Sequence, residues 1–291
     1  MSDRSADTFG IRTATLQVAP APIDDLSPAQ TADKLVQWTV AKTRLPLDRV
    51  VVLGVLAGAF IALGGALFTL VMVDVPLGHG PSRLLGGFAF SIGLLLVCMT
   101  GAELSTGNCM GFAATAQGTV RARDLVQLLV VSFAANIVGA LLIAGLIVAS
   151  GLDQGPMGQV AARIAEAKLA TPLVQAYFRG ILCNALVCFA VWMILAARSL
   201  PGKMIGAAFP ITAFVALGLE HSIANVYLIP VGLSAGAQGS LPVVLAHLYA
   251  MTFGNLVGGA AVALAFWWGH LRTPAAQPSR SPQGALRADQ R

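Results

Sequence analysis

The sequence predicts an all-α membrane protein with six transmembrane helices in two inverted three-helix repeats. Of its 291 residues, 56% are hydrophobic and only 11% are charged, whereas soluble domains carry about 25% charged residues. No Asp, Glu, Lys or Arg occurs in 50–73, 125–152 or 221–271. About 20 apolar residues are enough to cross the roughly 30 Å of hydrocarbon in a bilayer, so these stretches are long enough to contain membrane spans.

A polar motif within these apolar surroundings occurs twice. Gly101–Asn108 and Gly218–Asn225 both read G-x-E-x-S-x-x-N, 117 residues apart. Two further pairs of segments match in the same order along the chain: Asn136–Ala140 with Asn255–Gly259, and Gly54–Ala59 with Gly180–Ala185. Repetition in a fixed order predicts two related halves. Polar motifs that interrupt apolar segments predict a transport pathway between those halves.

Each half is predicted to contain three spans. The predicted spans are 50–73, 85–116, 124–150, 172–198, 204–230 and 241–270. They make a first repeat at 50–150 and a second at 172–271, joined by an extracytoplasmic connection at 151–171. The second and fifth spans contain the motifs, and we expect both helices to be broken there, because glycine and serine weaken a helix. Non-helical backbone at membrane depth is tolerated only where it is buried in protein or lines a cavity.

The segments outside the spans are predicted to be one interfacial helix and two tails. Ser27-Pro28 is a helix-start signal, and the apolar and basic residues that follow predict an amphipathic helix over 27–45 on the membrane surface. Residues 1–26 and 272–291 are predicted to be disordered tails.

Basic residues predict the orientation of the chain. They cluster on one side of the predicted spans, at Lys42, Arg44, Arg49, Arg121, Arg123, Arg198, Lys203, His270 and Arg272. Short loops rich in Lys and Arg are cytoplasmic. Both termini are therefore predicted to be cytoplasmic, and the expected location is a bacterial inner membrane.

His221 is the leading candidate for a functional side chain. It lies beside Glu220 in the second motif, near the middle of a predicted span, and an ionisable residue at membrane depth indicates function by default. Its ring can hold an anion or lend it a proton. The alternative is a structural histidine bonded to a backbone carbonyl, a role that fits His247 better because no motif surrounds it.

The other polar residues of the motifs have two interpretations each. Glu103 and Glu220 either bind substrate or protons, or accept hydrogen bonds from backbone N–H groups in the broken loops, and their symmetric positions favour the second role. Ser105 and Thr106 either contact a small polar solute or cap a broken helix. Four amides at equivalent positions are predicted to structure the loops: Asn108, Asn225, Asn136 and Asn255.

Cations near the fourth span form a third group of candidates. Lys168 and Asn184 flank its start, and a cation in an extracytoplasmic vestibule attracts anions, although a lone Lys at a helix entry is commonly a snorkelling surface residue. Arg179 either reaches an interface or pairs with a neighbouring subunit. The four Cys residues lie in apolar segments and are expected to be small buried hydrophobes, so no metal or cofactor is predicted. The net charge of +5 does not indicate nucleic-acid binding.

The segments that carry these residues resemble the formate/nitrite transporter family. The matching segments are Gly101–Asn108, Arg179–Cys188, Phe214–Pro230 and Gly254-Asn255, and the similarity extends over about 30–272. The stretch Glu220–Asn225, followed by Ile229-Pro230, is a specific signature. The resemblance implies an aquaporin-like six-helix protomer that forms a homopentamer with one pore per subunit. It implies passage of formate or nitrite, or of hydrosulfide or lactate as in some relatives.

The resemblance also implies positions along the pore. His221 is implied to be the central pore histidine, with Thr106 as its partner, and Lys168 and Asn184 are implied to form a vestibule pair. The hydrophobic constrictions are implied at Phe90 and Phe214 on the outer side and at Leu94, Leu104 and Val187 on the inner side. Formate channels of the family often carry an aromatic residue before the loop threonine. Here that residue is Ser105, which predicts a wider or more polar inner constriction.

The resulting hypothesis is a channel, not an enzyme, for small monovalent weak-acid anions, linked to protons through His221. A bare anion between apolar rings loses its hydration at high cost, whereas a neutral acid does not. We therefore expect Lys168 to draw the anion in, and water or His221 to protonate it. Two alternatives stay open: a neutral-solute pore for water or glycerol, although paired Asn-Pro-Ala loops are absent, and a membrane enzyme or sensor, for which the tails are short and simple.

Overall fold

The computed structural model describes residues 25–272, and every regular element in this range is a helix. The α-helices are α1 (Pro28–Thr43), α2 (Leu47–Val71), α3 (His79–Phe90), α4 (Ile92–Thr100), α5 (Ser105–Asn108), α6 (Phe112–Ala116), α7 (Ala122–Ala149), α8 (Gly155–Leu169), α9 (Leu173–Ala196), α10 (Leu200–Ala216), α11 (Ser222–Ser234) and α12 (Leu241–Phe266). A 3₁₀ turn at Cys109–Gly111 joins α5 to α6, and a π-helical turn at Trp267–Leu271 extends α12. Residues 1–24 and 273–291, which hold most of both predicted tails, lie outside the described range.

Several of these helices are suited to a membrane. Five helical segments within 25–272 are long and apolar enough to cross a bilayer: Leu47–Val71, His79–Thr100, Ala122–Ala149, Leu173–Ala196 and Leu241–Leu271. The helices α10 and α11 are shorter and also apolar, and they are separated by 217–221. The predicted all-α membrane class is confirmed. The helix order is consistent with two three-span repeats, and their inverted orientation stays a prediction.

Three segments differ in detail from their predicted bounds. The second span begins at His79 rather than at 85, after Gly78, whose φ is +79°. The connection 151–171 is largely the helix α8, whose Val160, Ala161 and Ala165 are buried. The last two residues of the predicted tail 1–26 are bonded to the main body, because the Leu26 N–H donates to Ala196 O at 3.0 Å and Asp25 accepts from the Arg198 N–H at 3.3 Å.

Glycines let two pairs of helices approach at backbone distance. A Cβ atom on Gly58 or Gly139 would overlap backbone of the facing helix in the α2–α7 pair, at Asn136 and Val55 respectively. In the α9–α12 pair, a Cβ on Gly258 would overlap the carbonyl group of Ile181. Small residues allow such close packing in membranes, where dispersion forces rather than the hydrophobic effect hold helices together. In each half, close packing at glycine thus holds the first long helix against the third.

Gly139→Ala is expected to lower the free energy of unfolding by about 1–3 kcal/mol or more, because the added methyl group meets a carbonyl oxygen that cannot move aside. Thermal unfolding of the detergent-purified protein measures this loss. Gly145→Ala is the control on the same helix, since no atom lies within 4 Å of its added Cβ. Equal unfolding temperatures for the two variants would contradict the packing argument.

Candidate functional site

Both G-x-E-x-S-x-x-N motifs break a helix at their first glycine. Gly101 follows α4 with φ +74°, and Gly218 follows α10 with φ +70°, a left-handed conformation that glycine adopts without strain. The next N–H in each loop reaches back five residues, from Ala102 to Val97 O and from Leu219 to Phe214 O, both at 3.0 Å. This is the bond of a Schellman helix end. In each loop the backbone then becomes extended before the next helix begins, at α5 in the first motif and at α11 in the second.

Asn136 and Asn255 hold the two loops by the same set of bonds. The Asn255 side chain accepts from the Ser222 N–H at 2.8 Å and donates to the carbonyl oxygens of Gly180 and Glu220. Asn136 accepts from the Ser105 N–H at 2.9 Å and donates to Gly54 and Glu103 carbonyls. All of these groups are buried, so each amide satisfies three backbone groups that water does not reach.

Each motif glutamate is bound by a lysine and by the motif asparagine. Glu220 Oε2 accepts from Lys168 Nζ and from Asn225 Nδ2, both at 2.7 Å. Glu103 is only 2% exposed, as is Glu220, so both charges require such partners. The predicted partners of these carboxylates, backbone N–H groups in the loops, were wrong; the partners are side chains.

Lys42 is the functional candidate that the sequence analysis missed. Its Nζ donates to Glu103 Oε2 at 2.6 Å and lies 4.3 Å from the centre of the Trp38 ring, while Asn108 donates to the same carboxylate oxygen at 2.9 Å. Lys42 on α1 therefore matches Lys168 on α8. Burial lowers the pKa of the Lys42 ammonium group, and the adjacent Glu103 acts in the opposite direction.

A sequence signal for this equivalence exists. Ala41-Lys42 followed by Pro46 matches Ala167-Lys168 followed by Pro172, at a separation of 126 residues. Gly54 and Gly180 have the same separation. The repeat therefore begins before the first membrane span and includes α1.

His221 lies at the point where the two motifs meet. Its Nε2 is 3.1 Å from Thr106 Oγ1, and its Nδ1 accepts a hydrogen bond from the Ala224 N–H at 3.3 Å. A backbone N–H only donates, so Nδ1 carries no proton in this arrangement and the neutral ring has its proton on Nε2. His221 thereby caps α11 with one nitrogen and presents a hydrogen-bond donor with the other.

A cavity of about 410 Å³ leads to this histidine. It is called the outer cavity here because the predicted orientation places it on the extracytoplasmic side. Phe90 and Phe214 line it, with ring centroids 5.6 Å apart in an edge-to-face arrangement, and the Phe214 ring stacks on His221 at 5.9 Å. Lys168 and Glu220 line the same space. The predicted vestibule lysine and the predicted outer aromatic pair thus share one cavity.

An inner cavity of about 260 Å³ lies near the first motif. Its lining includes Leu94, Leu104 and the lysines Lys34, Lys42 and Lys203. Thr106 follows Leu104 by two residues and lines neither cavity, so the Thr106–His221 contact lies between the two. Val187 is also buried and lines neither of them.

Two predicted pathway residues lie elsewhere. Asn184 does not neighbour Lys168: its amide donates to Asn255 O at 2.7 Å, and the amide beside Lys168 and Glu220 is that of Asn225. Ser105 lines neither cavity, and its buried hydroxyl has no hydrogen-bond partner among the described residues. His247 contacts the carbonyl oxygens of Thr171 and Val243. These are the contacts of a structural histidine bonded to backbone carbonyls.

Comparison with known proteins identifies the family. The sequence profile described as "Formate/nitrite transporter" matches residues 29–269. The chain belongs to the formate/nitrite transporter family. The match covers every helix described above except the first residue of α1 and the last two residues of the π-helical turn. This is therefore a multi-pass membrane protein of a channel and transporter family.

Relatives and solved structures of the family agree over most of the chain. It is 38% identical over 267 residues to a probable formate transporter of Methanothermobacter thermautotrophicus, covering 84% of this chain and 97% of the relative. It is 33% identical to formate channel FocA of Escherichia coli strain K12, covering 87% and 98%. A solved "FNT family ion channel" matches with a TM-score of 0.76, 29% identity and coverage of 84% and 99%. A "pentameric formate channel with formate bound" matches with a TM-score of 0.68, 29% identity and coverage of 78% and 98%.

Proposed function

We propose that this member of the formate/nitrite transporter family is a homopentameric channel for small monovalent weak-acid anions, with formate or nitrite as the leading substrates. The observation that carries the proposal is the Thr106–His221 contact, enclosed between two cavities that each contain a lysine. The names of the relatives support formate, and the similarity to a solved pentameric formate channel supports the pentamer. We further propose that both termini lie in the cytoplasm.

The two cavities concentrate anions at both ends of the pore. Charges in a cleft with apolar walls focus the electrostatic field and raise the local concentration of counter-ions. Lys168 serves the outer cavity and Lys42 the inner one. The fixed charges thus bring the anion up to the apolar rings but do not carry it through them.

The anion crosses between Phe90, Phe214 and the inner leucines as a neutral acid. Desolvation between apolar side chains disfavours the charged form of the substrate, which therefore binds a proton as it leaves water. The Nε2–H of His221 otherwise donates to Thr106 Oγ1, at 3.1 Å. It then donates to the substrate instead and replaces part of the lost hydration.

Water, rather than His221, supplies this proton. The neutral ring has one proton, on Nε2, and Nδ1 is occupied by the Ala224 N–H. Release of the Nε2 proton would leave an imidazolate, and protonation of Nδ1 would break the cap of α11. The positive end of the α11 dipole also disfavours an imidazolium ion at this position. His221 therefore acts as a hydrogen-bond donor to the substrate, and transport is faster at low pH because more protons are available.

Flux into proteoliposomes tests the proposal. A formate or nitrite gradient is imposed at an acidic and at a mildly alkaline pH, and a trapped dye reports internal pH. A pH change that follows one anion, is faster at acidic pH and is absent from empty vesicles is expected. If a correctly folded protein gives no response to either anion, the formate and nitrite proposal is wrong, and hydrosulfide, lactate and neutral solutes are tested next.

Removal of a complete lysine–glutamate pair is expected to weaken anion capture. Loss of the lysine alone would leave a buried carboxylate unpaired, so Lys168→Met is combined with Glu220→Gln. The half-saturating formate concentration is expected to rise on the order of tenfold, because the ammonium donor that meets the incoming anion is lost although the net charge of the cavity is unchanged. Lys42→Met with Glu103→Gln is expected to act similarly from the inner side. Unchanged concentration dependence in both double variants would contradict the role of the lysines.

A further inference from the structure

The outer cavity contains more positive charge than the transport of a monovalent anion requires. Four cationic side chains line it, Arg83, Arg163, Lys168 and Arg179, against one carboxylate, Glu220. Lys168 and Asn225 already bind that carboxylate. Three guanidinium groups therefore face the cavity without a counter-charge among its lining residues.

Arg83 is held rigidly at the wall of this cavity. Its Nε donates to Ala216 O at 2.9 Å and its Nη2 to Val215 O at 2.7 Å, the last carbonyls of α10. A Cβ on Gly218 would lie 3.1 Å from Nη2, so the motif glycine also provides the space for the guanidinium. Two of five N–H donors are used in this way, and the charge stays in the cavity.

Arg179 makes fewer hydrogen bonds than Arg83. Its one hydrogen bond within 25–272 is a long contact from Nη1 to Thr171 Oγ1, at 3.5 Å. Four of its donors are left for a ligand. Arg163 on α8 has no hydrogen bond or ion pair to the described residues and is exposed at the rim.

The matching position in the first half of the chain has no charge. The Glu220 N–H donates to the carbonyl of Arg179, and the Glu103 N–H donates to the carbonyl of Leu53, so these two residues are structural equivalents. The inner cavity does not include Leu53 in its lining. The arginine is therefore a feature of the outer mouth only and is not needed to hold the loop.

We propose that the outer cavity binds a small doubly charged anion, such as sulfate or a short dicarboxylate, between Arg83, Arg179 and Lys168. Guanidinium groups bind oxyanions in bidentate fashion, and a second negative charge about doubles the Coulomb attraction to a cation cluster. The cavity has a volume of about 410 Å³, whereas one water molecule occupies roughly 30 Å³. The cavity therefore has room for the doubly charged anion together with its remaining hydration water.

A doubly charged anion bound there covers the entrance to the pore without passing it. One proton leaves it charged, so the cost of desolvation between Phe90 and Phe214 remains. The site is thus an external block specific for multivalent anions. The binding half of this inference is independent of the transported substrate, whereas the blocking half rests on the proposed function.

Sulfate binding to the purified protein tests the site directly. Isothermal titration in neutral detergent at low ionic strength, where screening is weak, is expected to give one site per protomer. Arg179→Leu, which copies Leu53, is expected to weaken binding by about tenfold or more, since it removes charged hydrogen-bond donors from the site. Arg179→Lys retains the charge but loses the bidentate geometry, so its sulfate affinity is expected to lie between those of the wild type and of Arg179→Leu. Arg123→Leu removes one exposed charge outside both cavities and is expected to bind as wild type does.

The result that overturns the site is equal sulfate affinity in the wild type and in Arg179→Leu, or no binding to the wild type. If Arg179→Leu does not elute as a single species from size-exclusion chromatography, Arg179→Gln, which removes the charge but keeps a polar side chain, replaces it, with weaker binding expected. In proteoliposomes, external sulfate is expected to slow formate entry through the wild type and to slow it less through Arg179→Leu. Formate flux that is unchanged by saturating external sulfate would contradict the proposed block. If formate flux is absent but sulfate binds, only the transport proposal is wrong.

Discussion

Asn255→Leu is expected to abolish the folded protein or to destabilise it by about 2–6 kcal/mol. The substitution keeps the branching of the side chain but leaves two buried backbone groups unpaired, the Ser222 N–H and the Glu220 carbonyl. It also removes the second hydrogen bond to the Gly180 carbonyl, which lies inside α9 and keeps its helical bond. Each unsatisfied buried group costs about 1–3 kcal/mol, and a whole protein is stable by only about 5–15 kcal/mol. The yield of monodisperse protein and its thermal unfolding in mild detergent measure the effect.

The chain offers two internal comparisons for this prediction. Asn136→Leu removes the equivalent three bonds in the first half and is expected to be as damaging. Asn184→Leu removes one bond, to Asn255 O, and is expected to be milder. If Asn255→Leu unfolds at the same temperature as Asn184→Leu, the loop is held by other contacts and the argument fails.

The sequence was sufficient to predict the loops because the motif that breaks each helix is local. Glycine adopts the left-handed turns at Gly101 and Gly218 without strain, and the motif glutamates and asparagines follow those glycines directly in an apolar segment. The amides that hold the loops, Asn136 and Asn255, lie 31 and 33 residues from the N–H groups that they bind. These residues stand out against an apolar background, and repetition of the motif doubles the signal. The pairing of Thr106 with His221 came from family resemblance, since a contact across 115 residues has no local signature.

The partners of the glutamates could not be predicted in the same way. Lys42 lies 61 residues from Glu103, on a helix outside the predicted spans. In the sequence, a basic residue on such a helix cannot be distinguished from an ordinary surface charge. Asn184 was misplaced for a related reason: it and Lys168 are close in sequence, but the face of α9 that bears Asn184 packs against α12. Which face of a helix meets a cavity depends on packing between helices, and nearly uniform hydrophobicity removes the pattern that would predict it.

His221→Ala is expected to conduct formate while losing its coupling to protons. Removal of the ring eliminates the donor between the two cavities and the stack on Phe214, so water can fill the gap beside Thr106. The Phe214 ring also loses the partner on which it stacks, so the constriction between Phe90 and Phe214 widens. The anion then crosses with its hydration and no longer needs to be neutralised. Radioactive formate uptake is expected to persist, whereas the accompanying internal pH change is expected to be lost and uptake to become sensitive to membrane potential.

A second substitution separates the ring from the helix cap. Loss of a cap costs about 1 kcal/mol, so His221→Ala alone would combine a pore effect with a stability effect. Asn is a good capping residue, and His221→Asn is expected to restore the α11 cap but not the proton linkage. His270→Ala, at an exposed position on the terminal π-turn, is the control that retains coupling. Unchanged proton-linked uptake in both His221 variants would show that desolvation elsewhere, between the Phe90 and Phe214 rings, is enough to force neutralisation of the anion without the histidine.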